Sequence, residues 1–379
     1  MPSNASWLKS LTTTAAHLRP TTNLQSLTKH RIRSSSSIAQ SSGGFDRVIF
    51  SGIQPTGVPH IGNYIGALKN WVKIQDENKK QVESRKKSKL YYSIVGLHAL
   101  TLPQLPERLR QERFEMMCTL LAIGLNPNQS CLFNQDEVPA HCELTWILNC
   151  ITPVGKLNRM TTWKVIDESL LHLGLLAYPV LQSADILLYK STHVPVGQDQ
   201  EQHIELTRTI AKSLNKHLRA KIFPIPRPMF APQARILSLR NPEMKMSKSH
   251  PSPTSQILIT DTPDMIKSKI QSAVTDSISQ INYDPIKRPG VSNLLDIYAG
   301  LSDLSILEVM KRFEGKMAGD LKIELTDLLV DHLTPIRIEF ERLKQDREEV
   351  EKVFKVGALQ ATAIANQTLQ EVKKGLGLL

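Results

Sequence analysis

The chain has 379 residues, 41% of them hydrophobic, which is enough for a sizeable core divided over more than one domain. Its four cysteines, Cys118, Cys131, Cys142 and Cys150, are too few for a disulfide scaffold and fit structural thiols in a reducing compartment; His141 beside Cys142 lacks the paired spacing of a zinc site, and no apolar run is long enough to cross a bilayer. The formal net charge of +11 is uneven: residues 1–45 hold Lys9, Arg19, Lys29, Arg31 and Arg33 with no acid, so the remainder carries only a modest positive field, suited to an anionic partner.

Residues 1–45 are rich in Ser, Thr and Arg, and SWLKSLTTTAAHL fits a short basic amphipathic helix without the continuous apolar core of a secretory signal. This is the pattern of a transit peptide to the mitochondrial matrix, with a plastid as the alternative destination and a plain tail as the bland explanation; cleavage is expected before Phe45. RVIFSGIQ (47–54) predicts a buried strand running into a turn at Pro55, Thr56 and Gly57, and HIGN (60–63) opens a helix through Ile65, Leu68 and Trp71. Strand, glycine-rich turn and helix form the opening unit of a doubly wound fold.

Residues 78–89 are a charged surface connection, LYYSIVGLHAL (90–100) the next strand, 106–123 a helix, and CLFNQDEV (131–138) a third strand. Residues 141–176 are expected to be mostly helical with a break near Pro153 and Gly155, and 178–188 to be an apolar helix carrying one acid, Asp185. Residues 194–218 read as short strand, glycine turn and long amphipathic helix, while 224–235 are punctuated by proline and expected to be irregular. KMSKS (245–249) follows, and 260–274 predicts a helix capped by Thr262 with Pro263 in its first turn. From Asn293 onward the periodicity is helical throughout, a second, all-helical region.

Taken singly, GIQPTG is a tight bend, His60 a structural histidine, and KMSKS a solvated basic loop or a phosphorylation site. Together they suit a polyphosphate. A helix N-terminus offers free N–H groups and partial positive charge to phosphate, with His60 as a further donor and Gly62 leaving room for adenine or ribose. Lys245 and Lys248 then neutralise the same anion from the other side.

The ordered motifs FSGIQPTG (50–57), HIGNYIGAL (60–68), EVPAH (137–141), ADILLY (184–189), VPVGQDQEQH (194–203), KMSKS, AVTDS (273–277) and PGVSNLL (289–295) resemble those of class I aminoacyl-tRNA synthetases. Over residues 47–379 the chain is similar to the bacterial-type and mitochondrial tryptophanyl-tRNA synthetases. The resemblance implies an α/β fold: a Rossmann-like, doubly wound parallel sheet over 46–240, the KMSKS loop and linking helices over 241–292, and a helical anticodon-binding region over 293–379. It implies ATP-dependent activation of L-tryptophan to the adenylate, then transfer to the 3′ adenosine of tRNA(Trp). Mg²⁺ would come with ATP, held by phosphates and water and not by a protein cluster. The partners implied are tRNA(Trp) and a second copy of the chain in a homodimer, with no membrane.

By the same resemblance the catalytic residues are His60, Asn63, Lys164, Lys245 and Lys248. Gln54, Gly62, Asn63, Asp199, Met246 and Ser247 would bind the nucleotide. Asp185 would accept the indole N–H in a slot walled by Phe50, Tyr178, Val194 and Val196, with His98, Gln182 and Gln200 also on the substrate. A mundane alternative for Asp185 is a buried acid paired with a histidine or backbone group. Three positions depart from the family's usual pattern: Gly96, where relatives often carry Asp; Gln198, in place of an acid; and His250, where Asp is common. Lys316, Lys322, Arg337, Arg342 and Lys344 are candidates for RNA contact by charge alone. Rival functions are a tyrosyl-tRNA synthetase, a nucleotidyltransferase with the same phosphate-binding layout, and a catalytically weak relative acting as an RNA-binding protein.

Overall fold

Val48–Ile53 forms the first strand, β1, and successive side chains serve opposite faces: Val48 and Phe50 join one core, Ile49 the other. Lys89–Ile94 (β2) and Cys131–Asn134 (β3) alternate in the same way, with Tyr91 and Phe133 on the first face and Leu90, Tyr92 and Leu132 on the second. Burial on both faces is what a parallel sheet covered by helices requires. With His193–Val196 (β4) and Arg227–Phe230 (β5) the strand order is β3-β2-β1-β4-β5, all parallel, as expected of a doubly wound sheet. The computed structural model describes residues 46–80, 88–160, 172–230, 235–248, 252–278 and 280–379, all inside one compact unit, Phe45–Leu379.

Several expected elements differ in extent. The strand expected over 90–100 ends at Ile94, and Gly96–Ala99 is a helical turn, α3. There the chain leaves the ladder because Leu97 N–H donates to the Gln135 side chain at 3.1 Å. The third strand likewise stops at Asn134 and passes into a 3₁₀ turn, Gln135–Glu137. β5 lies where irregular structure is expected; Pro228 is tolerated because, among the described residues, β5 is an edge strand paired with β4 alone.

The helix opened by HIGN runs unbroken from Ile61 to Lys80, but not as one α-helix. Ile61–Asn63 (α1) passes into a π-turn, Tyr64–Leu68, and then Lys69–Lys80 (α2). Lys69 Nζ donates to the carbonyls of Gly300 (2.8 Å) and Leu301 (2.9 Å), and Tyr64 OH meets His332 Nε2 at 2.8 Å. The first helix is thereby fastened to Pro289–Ser302, the helix that begins four residues before the boundary expected at 293, and to Ala318–Gln345.

The last helix, Arg347–Leu376, covers the β3 edge of the sheet, which would otherwise present unpaired backbone groups. Gly357 is needed for this approach: any Cβ there would overlap the Leu132 carbonyl, and Cys131 Sγ donates to the Gly357 carbonyl at 3.3 Å. Among the described residues no helix is long and apolar enough to cross a membrane.

Candidate active site

In open parallel sheets, ligands lie beyond the carboxyl ends of the strands where the strand order reverses. Here that place is between β1 and β4. A cavity of about 420 Å³ opens there, lined by Phe50 to Gln54 on one side and Val194 to Gly197 on the other. His98, Tyr178, Gln182, Asp185 and Gln200 complete it, so every residue assigned to the tryptophan slot lines one cavity, joined by Gln54. The walls are mostly apolar, and the acid among them is Asp185, 1% exposed.

Asp185 sits on Leu173–Leu188 (the helix ending in ADILLY) and is gripped from three other elements. His98 Nε2 donates to Oδ2 at 2.8 Å, Gln135 Nε2 to Oδ1 at 2.7 Å, and His141 Nδ1 to Oδ1 at 2.6 Å. Tyr189 OH is 2.8 Å from His141 Nε2 and fixes that ring in turn. Burial would push the Asp185 carboxyl up, but the hydrogen bonds and attraction of His141 and His98 outweigh it and hold the group well below the usual carboxylate range. A carboxylate has about four acceptor positions. Two on Oδ1 and one on Oδ2 are filled, which leaves one on Oδ2. The mundane and the functional accounts of Asp185 are therefore both compatible with this geometry.

A second network sets Gln200. His203, kept neutral by burial that lowers it to about 4, donates from Nδ1 to Gln200 Oε1 at 2.6 Å. Its Nε2 accepts from Tyr178 OH at 3.2 Å, and Gln182 Nε2 reaches the same Gln200 oxygen at 3.4 Å. With Oε1 occupied, Gln200 offers only its amide N–H₂; one hydrogen goes to Asp199 Oδ2 at 3.4 Å, and the other suits a carboxylate more than an ammonium. The position left bare by Gly96 is not short of negative charge: the Asp136 carboxylate stands beside it.

Beyond Ala67, Val196 and Gly197, which line both spaces, lies a larger cavity of about 1260 Å³. It holds His60, Gly62, Asn63, Gln198, Asp199 and Lys245, together with Lys73 and Arg235. Asp296, Gly300 and Ser305 close it from the helical region, a contribution not expected from the sequence. His60 caps the first helix: its Nδ1 accepts from Asn63 N–H at 3.2 Å, and Asn63 Oδ1 accepts from His60 N–H at 3.4 Å. Burial first, then Lys248 and Lys245, push His60 down to about 4, so the ring is neutral with Nε2–H as its donor.

The expected set of free N–H groups at this helix start is smaller than the sequence suggests. Ile61 N–H is spent on the Ile257 carbonyl at 2.7 Å and Asn63 N–H on the cap. Gly62 N–H is left, and Gly62 packs so close to the His60 ring that a Cβ would lie 3.0 Å from it.

KMSKS is half anchored. Lys245 bridges Leu237, and Met246 N–H donates to the Ile236 carbonyl at 3.1 Å, forming the return arm of a hairpin. Asn293 clamps the outgoing arm through Leu237 N–H (2.7 Å) and C=O (3.0 Å), which gives the PGVSNLL motif a structural task. Met246 is 1% exposed in the core, so its side chain anchors the hairpin and does not line the larger cavity, contrary to the nucleotide contact expected of it. Ser247 is exposed and lines neither cavity. Lys248 turns back to the first turn: its Nζ donates to the carbonyls of Gly57 (2.7 Å) and Thr56 (3.0 Å), and burial lowers the amine to about 8. Lys164 and His250 lie outside the described residues.

Asp296 Oδ1 accepts from Tyr283 OH at 3.0 Å, and burial raises the acid to about 6. No three His, Cys, Asp or Glu side chains among the described residues come together as a metal cage. A phosphate-borne Mg²⁺, which needs only one or two protein carboxylates, fits this donor set. An apolar slot with one fixed acceptor thus adjoins a larger cavity in which Lys73, Arg235 and Lys245 can meet an anion, and the pair can align a carboxylate with a phosphorus atom.

Residues 46–334 match the family described as tRNA synthetases class I (W and Y). The chain is 42% identical over 347 residues to the mitochondrial tryptophan–tRNA ligase of Schizosaccharomyces pombe, covering 87% of this chain and 95% of that one. It is 44% identical over 334 residues to the tryptophan–tRNA ligase of Caldanaerobacter subterraneus, with 87% and 98% covered. The tryptophanyl-tRNA synthetase of Campylobacter jejuni, solved with ADP and tryptophan, superposes with a TM-score of 0.70 at 30% identity, covering 87% of this chain and 99% of that one.

Proposed function

The chain belongs to the class I tRNA synthetases for tryptophan and tyrosine, and we propose how its residues share the work of that chemistry. The reaction is the ATP-dependent activation of L-tryptophan and its transfer to tRNA(Trp), releasing AMP and pyrophosphate. The observation that supports the assignment of residues best is Asp185: one open acceptor, held by three donors, within an apolar slot. The indole N–H fills that acceptor, and Phe50, Tyr178, Val194 and Val196 enclose the rings. Gln200 donates its amide to the substrate carboxylate. That carboxylate attacks the α-phosphorus of ATP and needs no protein base, so catalysis is alignment plus electrostatic stabilisation.

Neutral His60, through Nε2–H, and Asn63, through its amide, donate to the phosphoryl oxygens, with Gly62 N–H beside them. Asp199 lines the nucleotide's cavity, and Gln54 reaches the α-phosphate from the wall of the tryptophan cavity. Lys245 follows the β- and γ-phosphates as pyrophosphate leaves, and Lys248 joins when it exchanges the Thr56 and Gly57 carbonyls for phosphate. Mg²⁺, carried on ATP, would supply charge neutralisation, with Asp199, Asp296 and Asp303 the carboxylates that line the cavity. In the second step the terminal ribose hydroxyl of tRNA attacks the adenylate carbonyl and AMP departs. ATP–pyrophosphate exchange with each of the twenty amino acids tests the substrate: exchange is expected with tryptophan, and exchange with tyrosine but not tryptophan overturns it.

We further propose a homodimer. Trp146 (71% exposed), Val154 (59%) and Leu173 (79%) are large apolar side chains left in water on neighbouring helices Ala140–Ile151, Val154–Leu157 and Leu173–Leu188. Sedimentation should give a dimer, and Trp146→Asp a monomer; a monomeric unsubstituted chain would sink the idea. The helical region 293–379 is proposed to face the anticodon. The basic, acid-free composition of residues 1–45 and the mitochondrial relative support delivery to the mitochondrial matrix.

A further inference from the structure

Gly96 opens α3 with no space for a side chain: a Cβ there would stand 2.5 Å from Asp136 Oδ1 and 3.9 Å from Arg113 Nε. Asp136 cannot drift freely, because Arg113 Nη2 holds its Oδ2 at 2.8 Å and also reaches Glu137 Oε1 at 3.5 Å. The next residue along each backbone does related work. Gln135, beside Asp136, accepts from Leu97 N–H and donates to Asp185; His98, beside Leu97, donates to the other Asp185 oxygen. The α3 turn and the Gln135–Glu137 turn thus meet at two points and then grip Asp185 with one side chain each.

We propose that the Asp136–Arg113 ion pair, docked over Gly96, is a positioning unit for tryptophan selection: it sets the distance between the two turns and so aims the open acceptor of Asp185. Asp136 and Arg113 line neither cavity, so they act through Gln135 and His98. Arg113 Nε is buried, has no hydrogen-bond partner among the described residues, and stands 3.9 Å from where a Cβ at position 96 would lie. The guanidinium can therefore take a carboxylate from either side of the contact. The proposal rests on Asp185 being the indole acceptor.

The test compares tryptophan with β-(3-benzothienyl)-L-alanine, whose ring sulfur replaces the N–H, in ATP–pyrophosphate exchange by the full chain. The unsubstituted protein should prefer tryptophan by kcat/KM. Gly96→Ala should narrow that preference by about tenfold or more through the tryptophan KM, with the ATP KM unchanged within about twofold. Gly96→Asp combined with Asp136→Ala returns a carboxylate to Arg113 without the clash and should recover most of the preference. If Gly96→Ala does not fold, Arg113→Met gives the same decision, since it removes the pair without adding bulk. A preference left intact in the single variants, or both amino acids losing equally, overturns the proposal. A double variant no better than Gly96→Ala also overturns it. No preference in the unsubstituted protein overturns the acceptor assignment itself, and the positioning unit with it.

Discussion

Asp185→Ala is expected to lower kcat/KM for tryptophan in pyrophosphate exchange by about a hundredfold or more, the scale of one charge-assisted hydrogen bond worth about 3 kcal/mol. The loss should fall on the amino acid and leave the ATP KM nearly unchanged, because Asp185 lines the smaller cavity alone. Stability should drop as well. His98, Gln135 and His141 would each lose their acceptor, and breaking one side of a buried charged network typically costs about 3–5 kcal/mol. Asp185→Asn keeps the shape but turns an N–H₂ towards one of the donors, so it should discriminate poorly while melting above the alanine variant.

The pH dependence separates this account from one in which the acid titrates during turnover. The folded carboxyl lies below its unfolded value, so its stabilisation is complete above about pH 4 and is lost only as pH falls further. Between about pH 6 and 9 the tryptophan KM should show no inflection from Asp185. An inflection that disappears in Asp185→Asn would contradict the geometry.

The two lysines of KMSKS should behave differently. Lys245 is exposed and lines the larger cavity, where the polyphosphate is proposed to bind, so Lys245→Ala should slow exchange about a hundredfold, near 3 kcal/mol of transition-state stabilisation, with an unchanged melting temperature. Lys248 must first release the Thr56 and Gly57 carbonyls, and that loss offsets part of what it gains on phosphate. Lys248→Ala should therefore cost less than Lys245→Ala. With the Lys248 amine lowered to about 8, its charge is complete below about pH 7 and fades as pH rises through that value. Activity should fall on the alkaline side, and Lys248→Arg, which stays charged, should remove that limb. Equal effects of the two alanine variants and an unchanged alkaline limb would refute this division.

What could be foreseen was written in side chains. The apolar alternation of β1, the cap at Thr262 and the acid inside YPVLQSADILLY all carry residue-type signals, and each lies where those signals put it. What could not be foreseen was written in backbone. The acceptors that hold Lys248 are carbonyls, which every residue has, and the carbonyl that takes Ile61 N–H leaves no mark on the sequence. β5 was hidden by Pro228, which argues against a central strand but not against an edge. Beside Cys142, His141 suggests a metal ligand; its place in EVPAH is the better clue, since the turn that leads into that motif supplies Gln135. The reach of the helical region into the nucleotide cavity followed from Lys69 and Asn293, whose partners lie far away in sequence.

The π-turn Tyr64–Leu68 has a consequence for how this protein can vary. One extra residue per turn is stored there, and everything from Lys69 to Lys80 is phased by it. Because that turn closes with one residue more than an α-turn, the segment could lose one residue and relax into an ordinary α-helix while Lys69 keeps the Gly300 carbonyl and Trp71 its stack on Tyr92, now 4.6 Å between ring centroids. The α-helix after it has no such reserve: losing one residue there would turn the remainder by about 100°. In lineages that keep the activity, a one-residue gap would be expected within these five residues and not between Lys69 and Trp71.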